Sequence, residues 1–378
     1  MSQSTNAASA VAAAAAEAAC PTKRHRNTFL LPLRQPQHQH QQRRLPGSEA
    51  TQPTAGEAHS RGGGQLIVDG NKGAHHAEAA AAAATEGVDG NDDDDVPLAL
   101  VILNAQGDSE SKHLLRHLWG RANLRICADG GANRLHDSFG GGGSSVGRDQ
   151  SEERAKFVPD IIVGDLDSLR PDVALFYEGL GCEIKLSDDQ NLCDFEKCLL
   201  EVEGRLSPSS PPDGGAATVD GTVTGTSAAA DALCGLTKPY TAATVVGLGA
   251  FGGRFDHEMQ AVSLLHAYTP RFHRFVLLGA GNVAFLLEPG LDHAVEPLPR
   301  FEGPTVGLIP VGGPCRAVTT EGLRWNLEGR GLEFGVCVSS SNRVVEDVVR
   351  VTADAPLVWT AEFKTAAWVE EVLPASAV

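Results

Sequence analysis

Between residues 98 and 278, short apolar runs alternate with stretches whose apolar residues recur at helical spacing, which confines this part of the chain to a mainly parallel α/β sheet. The pattern predicts strands over 98–103, 124–128, 161–163, 182–186, 244–248 and 275–278. It predicts helices over 113–119, 194–202 and 256–267, and Pro171 is placed to open another. Leu114, Leu115, Leu118 and Trp119 share one side of the first helix, and Phe195, Cys198, Leu199 and Val202 share a face of the second. After about residue 288 the texture changes to strands separated by turns, with candidates over 305–309, 315–319, 323–327, 332–338, 348–352 and 357–363. Alternation within 323–327 puts Leu323, Trp325 and Leu327 on one face. The expected organisation is an α/β domain over 96–287, interrupted by surface insertions at 140–156 and 204–239, then an antiparallel β domain, sandwich or barrel, over 288–378.

Residues 1–95 do not read as domain material. They are mostly Ala, Gln, His, Gly, Ser and charge, with runs at 12–16, 37–44, 79–84 and 92–95, and such a segment buries too little apolar surface to offset its ordering entropy. A disordered tail is the expectation. Its first 46 residues carry Lys23, Arg24, Arg26, Arg34, Arg43 and Arg44 against the single acid Glu17, but without an amphipathic period, so organelle targeting is the lesser alternative to a cytoplasmic protein. The tail holds 11 acids and 8 bases of the chain's 48 and 31, leaving 37 acids against 23 bases in the remainder. An acidic domain is a poor partner for nucleic acid, and a phosphorylated substrate would need a metal to supply positive charge, although acidity also serves solubility alone. The eight cysteines form no C-x-x-C pair, which suits reduced thiols and argues against a zinc site or disulfide scaffold. No apolar run approaches the roughly 20 residues of a membrane helix, so no membrane partner is expected.

Four polar clusters fall at predicted strand ends or helix starts. They are Asp129-Gly130-Gly131-Ala132-Asn133, Gly164-Asp165-Leu166-Asp167-Ser168, Asp189 through Asp194, and Gly252-Gly253-Arg254-Phe255-Asp256-His257. The carboxyl ends of parallel strands share one edge of a sheet, so the clusters can converge on one crevice. Asp165 and Asp167 stand two positions apart just past an apolar strand, where alternate residues point the same way, and two hard oxygen ligands there suit Mg2+ held together with substrate phosphates. The same residue types also suit a plain polar turn. Gly130 and Gly131 permit close backbone approach at a helix start, without the G-x-G-x-x-G spacing of a dinucleotide site. Asp194, three residues before Lys197, reads either as a helix-start acid beside a solvent-facing lysine or as a third carboxylate. Arg254 offers a planar fork for phosphate oxygens, and Asp256 either caps the following helix or orients that fork.

The ordered set resembles the thiamine pyrophosphokinase family in its eukaryotic form. The matching pieces are Val101 through Asn104, Cys127 through Leu135, Gly164 through Ser168, Asp189-Gln190 with Asp194 and Lys197, and Gly253 through Asp256. They continue with Gly307 through Gly312, Thr319 through Leu327, Ser339 through Asn342 and Pro356 through Thr360, so the resemblance spans residues 97 to about 364 outside the insertions. It implies transfer of a pyrophosphoryl group from ATP, the co-substrate, to the hydroxyethyl oxygen of thiamine, giving thiamine diphosphate and AMP with Mg2+ as cofactor. It also implies a homodimer of α/β nucleotide domains and β-sandwich domains, with the site where subunits meet. On this resemblance Asp165, Asp167 and Asp194 are the metal ligands and, with Arg254, the catalytic set. Asp129, Gly130, Gln190, Lys197, Arg254 and Asp256 are implied at the ATP end, and Trp325, Ser341 and Asn342 toward thiamine.

Asp194 is also the candidate to accept the thiamine hydroxyl proton. Trp325 has two competing roles, stacking on the cationic thiazolium or packing in the β-domain core beside Leu323 and Leu327. The chain departs from the family pattern at Cys193, where Thr is usual, and at Asn191, where Asp is common. Two rival readings follow from the residues: a thiamine or nucleotide binder that has lost catalysis, supported by those two departures, and a phosphohydrolase using the first Asp of Asp-x-Asp as nucleophile. Ser168 after the pair, and the missing downstream acidic set, argue against the hydrolase.

Overall fold

The computed structural model describes residues 21–31, 96–105, 111–140, 148–207 and 241–364. The remainder of the tail, and residues 141–147 and 208–240 of the two insertions, lie outside the described residues. The tail contributes strand β1 (Thr22–His25). The first large region runs β2 (Leu98–Ile102), α1 (Ser111–Arg121), β3 (Leu124–Ala128), α2 (Gly131–Ser138), α3 (Arg148–Arg154), β4 (Ile161–Gly164), α4 (Pro171–Glu178), β5 (Glu183–Leu186), α5 (Asp194–Leu206), β6 (Thr241–Leu248), α6 (Phe255–Tyr268) and β7 (Phe272–Gly279). Strands only follow: β8 (Asn282–Leu287), β9 (Asp292–Val295), β10 (Glu302–Ile309), β11 (Cys315–Glu321), β12 (Arg330–Leu332), β13 (Ser339–Arg343), β14 (Val349–Ala353) and β15 (Leu357–Phe363).

One ten-stranded sheet, in the order β13-β10-β15-β8-β7-β6-β2-β3-β4-β5, carries strands from both sides of residue 287, and β1-β9-β14-β11-β12 form a second sheet. From β7 to β5 the large sheet is parallel, and from β7 to β13 it is antiparallel. Side chains alternate along β2: Leu98, Leu100 and Ile102 enter one buried cluster, with Leu114 and Leu118 of α1 and Val173 of α4. Ala99 and Val101 enter the other, with Phe195 and Leu199 of α5 and Val262 and Leu265 of α6. Helices therefore cover both faces of the parallel part, which is why its strands read as unbroken apolar runs. Over the antiparallel part the five-stranded sheet replaces the helices: Val318, Val349 and Val351 join the cluster that holds Phe285, Leu308 and Trp359. That half is the β sandwich.

Two expectations about local structure do not hold. Residues 323–327 form a turn rather than a strand, because side chains take the backbone groups a strand would use. Asn326 Oδ1 accepts from Leu323 N–H (3.0 Å), and Thr320 Oγ1 accepts from Leu327 N–H (2.9 Å). Residues 332–338 likewise turn after β12, with Gly335 at φ 84°.

The tail also departs from expectation, for Thr22–His25 pair in parallel with β9 over Asp292–Val295. Polar side chains anchor what the apolar pattern did not mark. His25 Nε2 lies 2.8 Å from His293 Nδ1, and the His25 ring stacks on Phe285 at 4.9 Å. The side chain of Asn27 bridges Glu302 and Arg274 (2.9 Å to the latter), and Phe29 and Leu30 are buried in the main cluster.

Burial, reinforced by Arg274, holds His25 well below the usual histidine value, and burial lowers His293 as well. The unfolded segment therefore binds protons more readily than the docked one. The stability contributed by these histidines is complete above about pH 6.5 and is lost as pH falls below it. Proteolysis within residues 21–31 is expected to accelerate between about pH 7 and 5.5, and to do so less in His25→Phe. Equal cleavage rates across that range in the wild-type protein would contradict this docking.

Candidate active site

Strand order reverses at β2, whose neighbours are β3 on one side and β6 on the other. A crevice opens outside the carboxyl ends of strands at such a point. There lies a cleft of about 310 Å³, lined by Asn104, Asp129, Asp165, Gln190, Asp194 and Arg254 among others. Each is delivered by a different strand end or helix start, so the convergence expected of the four polar clusters is what the fold produces.

Asp129, Asp165 and Asp194 present carboxylate oxygens that all lie within 4.8 Å of one another. Asp129 ends β3 in a left-handed conformation (φ 42°), which Asp tolerates better than most residues, and is only 3% exposed. Its Oδ2 accepts from Ser168 N–H (3.1 Å), while its Oδ1 is buried with no hydrogen-bond partner. Burial pushes the Asp129 carboxyl above its ordinary value; Ser168 N–H opposes this, and Asp194, Asp167 and Asp165 add to it. At an effective dielectric near 20, two such charges at this separation repel by roughly 3–4 kcal/mol. Oxygens that share one Mg2+ at about 2.1 Å lie about 3 Å apart when adjacent, so side-chain rotations that draw the three carboxylates together by up to about 2 Å would bring them onto one ion. Hard oxygen donors, an orphaned buried oxygen and mutual repulsion make the group fit a divalent cation.

Asp167 stands outside this group, contrary to its pairing with Asp165. Leu166 adopts φ 63° and packs against the core, so the backbone between the two acids is not extended and the alternation of a strand does not apply to them. Asp167 is exposed and accepts from Ser168 Oγ (2.9 Å). Asp129, expected at the ATP end, takes its place among the three.

Asp194 opens α5, and its cap is Cys193, whose Sγ accepts from Glu196 N–H at 3.4 Å. The thiol thus fills the capping role a threonine hydroxyl would have. Lys197 is buried rather than solvent-facing, and its Nζ donates to Asp194 Oδ1 (3.1 Å). Asn191 is exposed and turns its side-chain amide onto Asp189 (3.0 Å). Gln190 and Gly130 line the cleft, as does Lys197.

After β6, the loop at Gly252 and Gly253 leads to Arg254, the N-cap residue of α6. Arg254 is exposed and forks onto Asp256 through Nε (3.1 Å) and Nη2 (2.5 Å), so Asp256 orients the guanidinium rather than capping the helix. Glu258, which sequence reasoning passed over, accepts from the N–H groups of both glycines. An acid one turn into a helix carries no motif; the signal was the flexible Gly-Gly pair, which needs something to hold it.

Trp325, Ser341 and Asn342 lie elsewhere, and none lines this cleft. Trp325 is 56% exposed, which excludes the core role, and Arg324 lies over its ring at 5.2 Å. Asn342 is buried and braces Trp325, donating to its carbonyl (2.9 Å) and accepting from its N–H (3.3 Å). Ser341 is exposed with φ 57°.

Gly164 lies directly beneath the carboxylates. A Cβ there would stand 2.7 Å from Asp129 Cβ and 3.1 Å from Asp194 Oδ1. Gly164→Ala is therefore expected to weaken Mg2+ binding at least about ten-fold, with the far-ultraviolet circular dichroism unchanged. Calorimetric titration checks this; unaltered Mg2+ affinity would show that the three acids do not act as one site.

A family model described as "Thiamin pyrophosphokinase, catalytic domain" matches residues 115–277, and one described as "Thiamin pyrophosphokinase, vitamin B1 binding domain" matches residues 292–358. Thiamine pyrophosphokinase 1 of Oryza sativa subsp. japonica is 36% identical over 270 residues, covering 71% of this chain and 88% of that protein. Thiamine pyrophosphokinase 1 of Arabidopsis thaliana is 34% identical, with 70% and 86% covered. Among solved structures, the thiamin pyrophosphokinase of Candida albicans superimposes with a TM-score of 0.56 at 26% identity, covering 71% of this chain and 89% of that one. The yeast enzyme shares the fold, with a TM-score of 0.60 at 24% identity, over 74% and 90%. The family matches fall on the two halves of the fold, the α/β part and the sandwich, and with relatives this similar along most of their length the chain belongs to the thiamin pyrophosphokinase family.

Proposed function

We propose that the protein is a thiamine diphosphokinase that moves a pyrophosphoryl group from ATP to the hydroxyl of thiamine, releasing AMP. The observation that carries this reading, beside family membership, is the group of three carboxylates at the switch point of the sheet. Asp129, Asp165 and Asp194 would hold Mg2+. When bound, the cation supplies charge neutralisation on the phosphate oxygens. Arg254 stands at the mouth of the same cleft as an exposed fork for those oxygens, aimed by Asp256. Lys197 brings a buried positive charge to the floor and fixes Asp194. That ion pair favours Asp194 as a member of the metal shell over Asp194 as proton acceptor.

ATP is placed in the cleft with Gly130 and Gln190 at its wall. Thiamine recognition is assigned to the sandwich, where the exposed Trp325 offers a π face to a cationic ring. Strand β13, which carries Ser341 and Asn342, lies seven positions from β3 in the large sheet. At about 4.8 Å per strand that is roughly 34 Å along the sheet, too far for one thiamine to touch both sets in a single chain. This supports a homodimer in which one chain supplies the carboxylates and its partner supplies the sandwich residues.

The reading of a binder that has lost catalysis rested on Cys193 and Asn191. It loses that support, because the thiol still caps α5 and Asn191 stands outside the carboxylate group.

The purified protein with ATP, thiamine and Mg2+ is expected to yield AMP and thiamine diphosphate in equal amounts. Asp165→Asn is expected to abolish turnover while remaining folded, and Trp325→Ala to lower it strongly. Co-assembling these two variants should restore activity, since one site of each mixed dimer is intact. ADP as the nucleotide product, or wild-type turnover in Asp165→Asn, would sink the proposal; failure of the mixture to recover would sink the shared site.

A further inference from the structure

Glu258 sits on α6 four residues after Arg254 and turns its carboxylate back onto the loop that leads into its own helix. One oxygen, Oε1, accepts from the N–H of Gly252 (2.8 Å) and of Gly253 (3.1 Å). Gly252 adopts φ 89°, and a Cβ there would stand 2.8 Å from Ala280 Cβ, so the turn requires glycine. Two consecutive glycines lose more freedom on ordering than any other pair, and the backbone alone holds such a turn weakly. A carboxylate accepting two N–H groups makes the stronger, charge-assisted kind of hydrogen bond.

The location makes this more than a helix anchor. Gly253, Arg254 and Glu258 all line the cleft assigned to ATP, where an extra negative charge works against a phosphate-bearing ligand. The two amide dipoles offset that charge, and what the arrangement secures is the residue that follows them. Arg254 is exposed, so no packing fixes its direction; it is held by Asp256 on one side and by the glycine turn on the other. We infer that Glu258 is a positioning residue for the transfer reaction: by clamping the Gly252–Gly253 turn it sets the direction in which Arg254 meets the phosphates. This rests on the reading of the cleft as the site of ATP-dependent transfer.

A double-mutant cycle on the full chain tests it, with kcat and KM for ATP measured for wild type, Glu258→Ala, Glu258→Gln, Arg254→Ala and the Glu258→Ala, Arg254→Ala double variant. Glu258→Ala is expected to lower kcat/KM for ATP about ten-fold, and Glu258→Gln, which keeps an acceptor oxygen, by no more than about three-fold. In the Arg254→Ala background the same Ala substitution should cost less than about two-fold, because the group it positions is gone. Thermal midpoints should fall equally for Glu258→Ala in the wild-type and Arg254→Ala backgrounds, so that lost stability alone cannot produce the non-additive kinetics. Additive losses, or a Gln variant as impaired as Ala, would overturn the positioning role. Wild-type protein that makes no AMP would instead overturn the reading on which it rests, so the two failures are distinguishable.

Discussion

Everything at the candidate site depends on crowding three carboxylates around one glycine. Asp129 closes β3, Asp165 follows β4, Asp194 opens α5, and Gly164 leaves out the side chain that would force them apart. Like charges this close are unfavourable unless something positive joins them, and among the described residues Lys197 reaches Asp194 alone. Backbone is strained to achieve it: Asp129 and Leu166 both sit at positive φ, a cost of order 1–2 kcal/mol each for residues with a side chain. Such strain persists where the surrounding structure over-determines it. Ser168 N–H on Asp129, and the packing of Leu166 against the core, do that here.

The rest of the fold serves to place and isolate this cluster. Parallel strands bring their carboxyl ends to one edge, and helices on both faces keep those strands buried and rigid. The same sheet then continues as the inner layer of the sandwich, so the two substrate regions proposed for this chain are joined by a continuous hydrogen-bonded ladder. That ladder sets their separation within a chain, the separation on which the proposed shared site rests.

Much of this was legible in the residues, and what was not has identifiable causes. Strands β2, β3 and β4 announced themselves as apolar runs, and Asp165 as an acid just past one. Asp167 was paired with Asp165 on the alternation of an extended backbone, and Leu166 at φ 63° departs from that conformation. Asp129 was placed in the crevice but not among the metal ligands, since only the left-handed turn at the end of β3 brings it there. Trp325 was read against Leu323 and Leu327 as a strand neighbour, but Asn326 and Thr320 capture the backbone and turn the indole outward. Strands β1 and β13, Thr-Lys-Arg-His and Ser-Ser-Ser-Asn-Arg, have no apolar alternation to find. They are recruited by polar contacts and by neighbours whose positions only the fold supplies.

The central claim is that Asp129, Asp165 and Asp194, and not Asp167, form the cation site. Titration of the protein with Mn2+, followed by electron paramagnetic resonance, addresses it directly in Asp129→Asn and Asp167→Asn. Asparagine tolerates the left-handed conformation at 129 and nearly matches aspartate in volume, so the first variant changes charge and little else. Mn2+ affinity is predicted to fall at least about ten-fold in Asp129→Asn and to stay within about three-fold of wild type in Asp167→Asn. The reverse order would contradict the account.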